Sequence, residues 1–237
     1  MDILEELENF ILEFNQNNDV DFAIDSIRVE FSKQYKLKPL QELGEWKKLT
    51  KNSNILAKLK RRLTADEVTT VWRLDKHNIY YYNKRDETKK YRKAIMVIFG
   101  LKQYHQEPAP RALVSKILSI LKDVSNIDLC LDVPYQPNLK KLEKNYILDQ
   151  YITPTGVKTD THYINNPRIM GIEKITIYNK GFKNALNRIL WRFEAKILIH
   201  NIKDLYMPLQ EFKELIHHAK KTNDQRASLS EDKRDIS

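Results

Sequence analysis

The chain has 237 residues, 41% of them hydrophobic, and its 41 lysines and arginines against 32 aspartates and glutamates leave a net charge of +9. That length suits one domain able to bury its own core, and the positive balance favours a polyanionic partner such as nucleic acid over an acidic protein, although a solvated basic surface would carry the same charge. A single cysteine, Cys130, excludes an intrachain disulfide. The acidic start MDILEELENF lacks the features of a secretory signal, and no apolar run nears the roughly 20 residues that span a bilayer, so a cytoplasmic protein without membrane contact is expected.

Residues 2 to 14 place Ile3, Leu4, Leu7, Phe10, Ile11 and Phe14 at helical spacing, with glutamates between them, and predict an acidic amphipathic helix. After NQNNDVD, residues 26 to 31 alternate, with Ile27, Val29 and Phe31 on one side and Ser26, Arg28 and Glu30 on the other, as in a half-buried strand. A basic, mainly helical stretch is expected to about residue 66. VTTVWRL, NIYYYNK and RKAIMVIFGL then read as an antiparallel meander. Pro108 and Pro110 introduce a helix striped with Leu113, Ile117, Leu118 and Leu121.

Asn126 to Val133 alternates again, placing Asp128, Cys130 and Asp132 on one face and Ile127, Leu129 and Leu131 on the other. A helix is expected over 138 to 147, a turn-rich stretch around Pro154 and Gly156, and a THYIN strand leading to the strand of Tyr178. Alternation there puts Tyr178 and Lys180 on one face, and on the next strand Arg192, Glu194 and Lys196. Residues 202 to 221 read as helix. The organisation expected is an acidic helix over 1–20, a main domain over 21–220 and a disordered tail over 221–237. The fold class is α+β: an antiparallel sheet with helices packed on one face and an open charged face carrying the site.

That face would collect Arg28, Glu30, Asp128, Asp132, Tyr178, Lys180, Arg192 and Glu194, which could be a plain solvated surface or a site. Three motifs in order point to a site: IDLCLD at 127–132, ITIYNKGFKN at 175–184 and LWRFEAKI at 190–197. Their succession resembles the rolling-circle replication initiators of the HUH-like endonuclease superfamily, especially filamentous-phage gene II replication proteins and plasmid Rep-trans initiators. Asn126 stands where an arginine is common in those families, and no pair of histidines flanks a hydrophobic residue in the manner of the histidine signature.

The resemblance implies a ferredoxin-like or RNA-recognition-like palm and a metal-dependent site-specific endonuclease. Tyr178 would be the nucleophile, forming a 5′-phosphotyrosine, and Lys180 would assist it. Glu194, Asp128 and Asp132 would hold Mg²⁺ or Mn²⁺, with Glu30 and His162 in reserve, since oxygen donors suit these cations. Arg28 would meet phosphate, and Arg192 would either hold a phosphate bidentately or pair with Glu30 or Asp132, between which the sequence does not choose. Two basic stretches could grip DNA: residues 47 to 62, with Lys60, Arg61 and Arg62, which also read as a solvated helix face, and residues 80 to 93, where Lys84 and Arg85 follow Tyr80, Tyr81 and Tyr82, of which only alternate ones can face DNA and some read equally as core. Single-stranded or cruciform origin DNA, host helicase and polymerase, and a homodimer are the implied partners. A relaxase of a small mobile element would use the same chemistry. The competing reading is a non-catalytic nucleic-acid-binding or plasmid copy-control protein in which Tyr178 stacks a base.

Overall fold

The computed structural model describes residues 2–50, 56, 59, 70–83, 93–103 and 107–220. The basic residues Lys60, Arg61, Arg62, Lys84 and Arg85 and the segment 221–237 lie outside the described residues.

Helix α1, Ile3–Asn18, starts where the Asp2 side chain accepts a hydrogen bond from the Leu4 amide, and it buries Leu4, Leu7, Ile11 and Phe14. Its end is set by Asp19, whose φ of 51° turns the chain out of the helix. Strand β1, Ala23–Ser32, is longer than the alternating run the sequence offers. Helix α2, Lys33–Gln41, and the short strand β2, Trp46–Lys48, follow. The meander is present as β3, Val71–Leu74, β4, Ile79–Asn83, and β5, Lys93–Phe99. Helix α3, Arg111–Leu121, leads to β6, Asn126–Val133.

The helix expected over 138 to 147 shrinks to α4, Leu139–Leu142. The turn-rich stretch proves to be the bend of a hairpin between β7, Asp149–Ile152, and β8, Lys158–Asn165. Strand β9, Ile172–Asn179, ends in the short helix α5, Lys180–Lys183, and β10, Trp191–Leu198, precedes a 3₁₀ turn and α6, Tyr206–His218.

All strands join one ten-stranded sheet in the order β2-β3-β4-β5-β1-β6-β10-β9-β8-β7, and every pairing is antiparallel. The protein is thus of the α+β class read from its sequence. On one side of the sheet, Ile27, Val29, Ile127, Leu129, Ile175, Ile177, Phe193, Ala195 and Ile197 share a continuous core with the buried faces of α1, α3 and α6. Helix α1 belongs to that core and not to a separate unit. Among the described residues, no helix is long and apolar enough to cross a membrane.

The opposite face divides in two. Toward β3–β5 it is apolar: Val71, Tyr80, Tyr82, Val97 and Phe99 form a second core with Leu56 and Leu59. Tyr81 lies in the first core, where burial pushes its phenol up to about 12. Of the two readings of the tyrosine run, base stacking and core, the core holds, and on both sides of β4. Toward β6–β8 the face is polar, so the open charged face expected from the sequence occupies that part of the sheet alone.

Candidate functional site

Register builds the site row by row. Arg192 stands opposite Asp132 on one side and Tyr178 on the other, and Tyr178 stands opposite Thr161. One row along, Glu194 lies between Cys130 and Thr176, with Tyr163 beyond; the next row carries Asp128, Lys196 and Lys174. Two residues along a strand return to the same face, so the three motifs of the sequence meet on β6, β9 and β10.

The Tyr178 hydroxyl donates to Glu194 Oε1 at 2.6 Å. The ring is only 5% exposed, and burial, then the charge of Glu194, raise its pKa above the ordinary phenol value. Burial also raises the pKa of Glu194, with Asp25 adding to the effect, while the Tyr178 hydrogen bond and Arg192 oppose it.

Lys180 does not continue the strand. Asn179 ends β9 by accepting the Phe182 amide at 2.9 Å, which starts α5 at Lys180. The lysine still reaches the phenol, with Nζ 5.8 Å from the Tyr178 ring centroid, and it is 7% exposed, its pKa lowered by burial and by Arg192. One turn on, Lys183 places its Nζ 4.4 Å from the same centroid. Unlike Lys180, Lys183 is exposed. Residues three apart on a helix share a side, so α5 presents both ammonium groups to one ring.

Arg192 is fully buried, so of its two readings the pairing with Asp132 holds and the direct contact with DNA does not. Its Nε and Nη2 donate to the two oxygens of Asp132 at 2.5 and 2.7 Å, and its Nη1 donates to Asp25 Oδ1 at 3.0 Å and to the Lys102 carbonyl at 3.1 Å. Glu194 Oε1 lies 3.7 Å from Nη1. Burial pulls the guanidinium pKa down, but the bonds to Asp132 together with the charges of Cys130, Tyr178 and Asp132 outweigh it and leave the pKa raised. Planar bidentate pairing of this kind is what makes a buried arginine tolerable.

Asp25 reaches Arg192 because β1 is irregular there. Pairing with β6 runs Ala23 to Cys130 and Ile24 to Leu129, then resumes at Ser26 with Asp128, leaving Asp25 as the extra residue of a bulge. By plain alternation Asp25 would share the helix side with Ile27 and Val29. A carboxylate in that parity was the signal in the sequence that the strand is bulged.

Arg28 grips Asp128 through Nη1 at 3.2 Å and Nη2 at 3.0 Å, and Ser26 Oγ donates to the same carboxylate. Its guanidinium also lies 6.0 Å from the Phe99 centroid. Glu30 pairs with Lys93 at 2.7 Å. Burial lowers the pKa of His162, whose place on β8 is opposite Ile177, on the other parity from Tyr163. Cys130 is buried in the middle of the polar row, and burial raises its thiol pKa.

Among the described residues, no three His, Cys, Asp or Glu side chains converge into a metal cage. Asp132 spends both oxygens on Arg192, and Asp128 both of its own on Arg28 and Ser26. The contacts of Glu194 with Tyr178 and Arg192 both use Oε1, so Oε2 lies outside them. Magnesium commonly takes one or two carboxylates and completes its shell with water and substrate phosphate. Glu194 keeps Oε2 for that lesser demand, and Asp128, diagonal to it across β10 and β6, would have to give up a contact with Arg28 or Ser26 to join it.

The face therefore defines a tyrosine, carboxylate and lysine site braced by a buried arginine. No family model matches the sequence, and no curated protein matches it. Among solved structures, the chain is similar to one described as the rolling circle replication initiator protein from Geobacillus stearothermophilus. Identity is 11% and the TM-score 0.42, over 89% of this chain and 91% of that one.

Proposed function

We propose that this protein is a replication initiator that nicks one strand of origin DNA through Tyr178 and later rejoins it. The observation that carries the reading is the Tyr178 hydroxyl held at 2.6 Å by Glu194, with two lysines on the same ring, on the polar part of the sheet. The order of the motifs on which the resemblance to rolling-circle initiators rests gives independent support.

In this mechanism the phenolic oxygen attacks phosphorus in line. The new bond is a 5′-phosphotyrosyl ester, the bond from phosphorus to the 3′ oxygen breaks, and the phenolic proton ends on the released 3′-hydroxyl. The ester retains the energy of the broken bond, so reversal rejoins the strand without a nucleotide cofactor. Glu194 orients the phenol and is within reach of its proton. Lys183, exposed and lying over the ring, is placed to leave it for an incoming phosphate, which would uncover Tyr178 as DNA binds. Lys180, kept in the interior, stays as fixed positive charge beside the developing phenolate. Glu194, with Asp128 as second carboxylate, would hold Mg²⁺ or Mn²⁺, whose contribution when bound is to offset charge on the scissile phosphate. Host polymerase would extend the 3′-hydroxyl, and a helicase would unwind ahead of it.

Incubation with supercoiled origin plasmid or single-stranded oligonucleotide, with and without Mg²⁺ or Mn²⁺, tests the reading. The expected products are a nicked circle and a covalent protein–DNA adduct. Tyr178→Phe abolishes the adduct but still binds DNA, and Glu194→Gln slows cleavage by about 100-fold or more. Adduct formation undiminished in Tyr178→Phe removes Tyr178 from its role.

A second reading is favoured by the burial of Tyr178 and its raised pKa, which describe a poor nucleophile in the free protein. In that reading the face binds nucleic acid without cutting it, as a copy-control protein would. It requires cation-independent binding and no covalent product from the wild-type protein.

A further inference from the structure

Charge is unevenly spread over the polar face. On β6 the face carries Asp128, Cys130 and Asp132, and on the stretch of β8 paired with β9 it carries Thr161, Tyr163 and Asn165, so among the described residues neither flank brings a cation to it. The lysines lie between those flanks. One row beyond Glu194, Lys196 of β10 stands directly opposite Lys174 of β9, and like charges so placed repel. Asp128, the carboxylate next to Lys196 in that row, spends both oxygens on Arg28 and Ser26.

The two lysines turn elsewhere. Pairing of β10 with β9 steps from Lys196 and Lys174 to Ile197 and Ile172, which leaves Glu173 as the extra residue of a bulge and brings its carboxylate to Lys196 Nζ at 2.5 Å. Lys174 lies over the Tyr163 ring, with Nζ 3.9 Å from the centroid, and its pKa is lowered by burial and then by Lys196. The row thus sets two cations face to face and gives one of them a carboxylate. An anion between them would relieve the repulsion.

Lys174 on the Tyr163 ring repeats the arrangement of Lys183 on the Tyr178 ring. From Tyr178 to Lys174 the chain of β9 advances about 13 Å, a few nucleotides of a single strand. Crossing the sheet from Tyr178, a polyanion would meet the carboxylates of β6 on one side and the uncharged groups of β8 on the other. Following the strands, it meets a cation at either end.

We propose that Lys174 and Lys196 hold a second backbone phosphate, on the far side of Glu194 from the phosphate that meets Lys183, so that the bound strand runs along β9 and β10 and not across the sheet. Each ammonium is a point charge on a flexible stem that can leave Tyr163 or Glu173 for phosphate. The inference rests on the reading of the polar face as a nucleic-acid site but not on cleavage.

The salt dependence of oligothymidylate binding, followed by fluorescence anisotropy, tests it. Lys174→Met combined with Lys196→Met makes the slope of log K against log salt concentration shallower by about 0.7, the share of one phosphate. Lys116→Met combined with Lys122→Met removes the same charge from exposed positions on and just after α3 and leaves the slope unchanged. Lys174→Arg combined with Lys196→Arg keeps the wild-type slope, which separates charge from folding. Adding Lys183→Ala to the first pair brings the change to about 1.4, because two phosphates are lost. An unchanged slope in the first pair, an equal change in the α3 pair, or a triple variant no shallower than the first pair overturns the proposal. An adduct at Tyr178 with no effect of the lysine pair would keep the nicking reading and end this one, and the reverse result would do the opposite.

Discussion

Arg192 is the residue on which the site depends mechanically. It ties β10 to β6 through Asp132, to the β1 bulge through Asp25 and to the turn after β5 through the Lys102 carbonyl. Arg192→Met leaves two carboxylates without their cation and is expected to cost about 3–5 kcal/mol in urea unfolding. Arg192→Lys recovers little of it, since an ammonium lacks the planar fork. Cys130, buried beside the same network, is expected to resist a thiol reagent such as DTNB until the protein is unfolded. Alternation in the sequence placed Arg192, Asp132 and Glu194 on one face correctly. It could not tell a buried arginine from one that meets DNA, because the partner that buries it, Asp25, arrives only through a bulge. Lys183 was missed for a related reason: carrying the strand of Tyr178 on to Lys180 hides the helical spacing that brings Lys183 over Tyr178.

At the scale of elements, the strongly periodic segments were legible and the short ones were not. Helix α1, β1, the meander, α3, β6, β9, β10 and α6 all follow apolar spacing that the chain displays. Strand β7 was read as part of a turn-rich stretch because Pro154 and Gly156 dominate it, although they form only the bend into β8, whose second half the THYIN strand had marked. Alternate tyrosines of β4 could be read toward DNA or toward a core, whereas β4 has a core on each side, which no alternation can announce. Because α1 shares the main core, Leu7→Ala is expected to lower stability by about 2–5 kcal/mol. Far-UV circular dichroism and tryptophan fluorescence should report one common urea transition for that variant. A separate early transition in circular dichroism alone would make α1 an independent appendage.

For the molecule as a whole, the sheet has one helical face and an opposite face divided between a small apolar core and a polar site. That division confines any DNA track on this face to the β6–β8 end. With a net charge of +9, binding to a single strand should weaken steeply with salt, each neutralised phosphate contributing about −0.7 to the slope of log K against log salt concentration. Lys183→Ala should make that slope shallower by about 0.7 if its ammonium leaves the Tyr178 ring for phosphate. An unchanged slope would place Lys183 outside the DNA contact. The central claim is that one phenol, at position 178, becomes esterified to DNA. Nuclease trimming of the protein–DNA adduct, trypsin digestion and mass spectrometry measure that directly. The account predicts a nucleotide remnant on Tyr178 in the peptide ITIYNK, residues 175–180; a remnant on any other residue, Tyr163 included, or no adduct from wild-type protein on cleavable DNA, would contradict it.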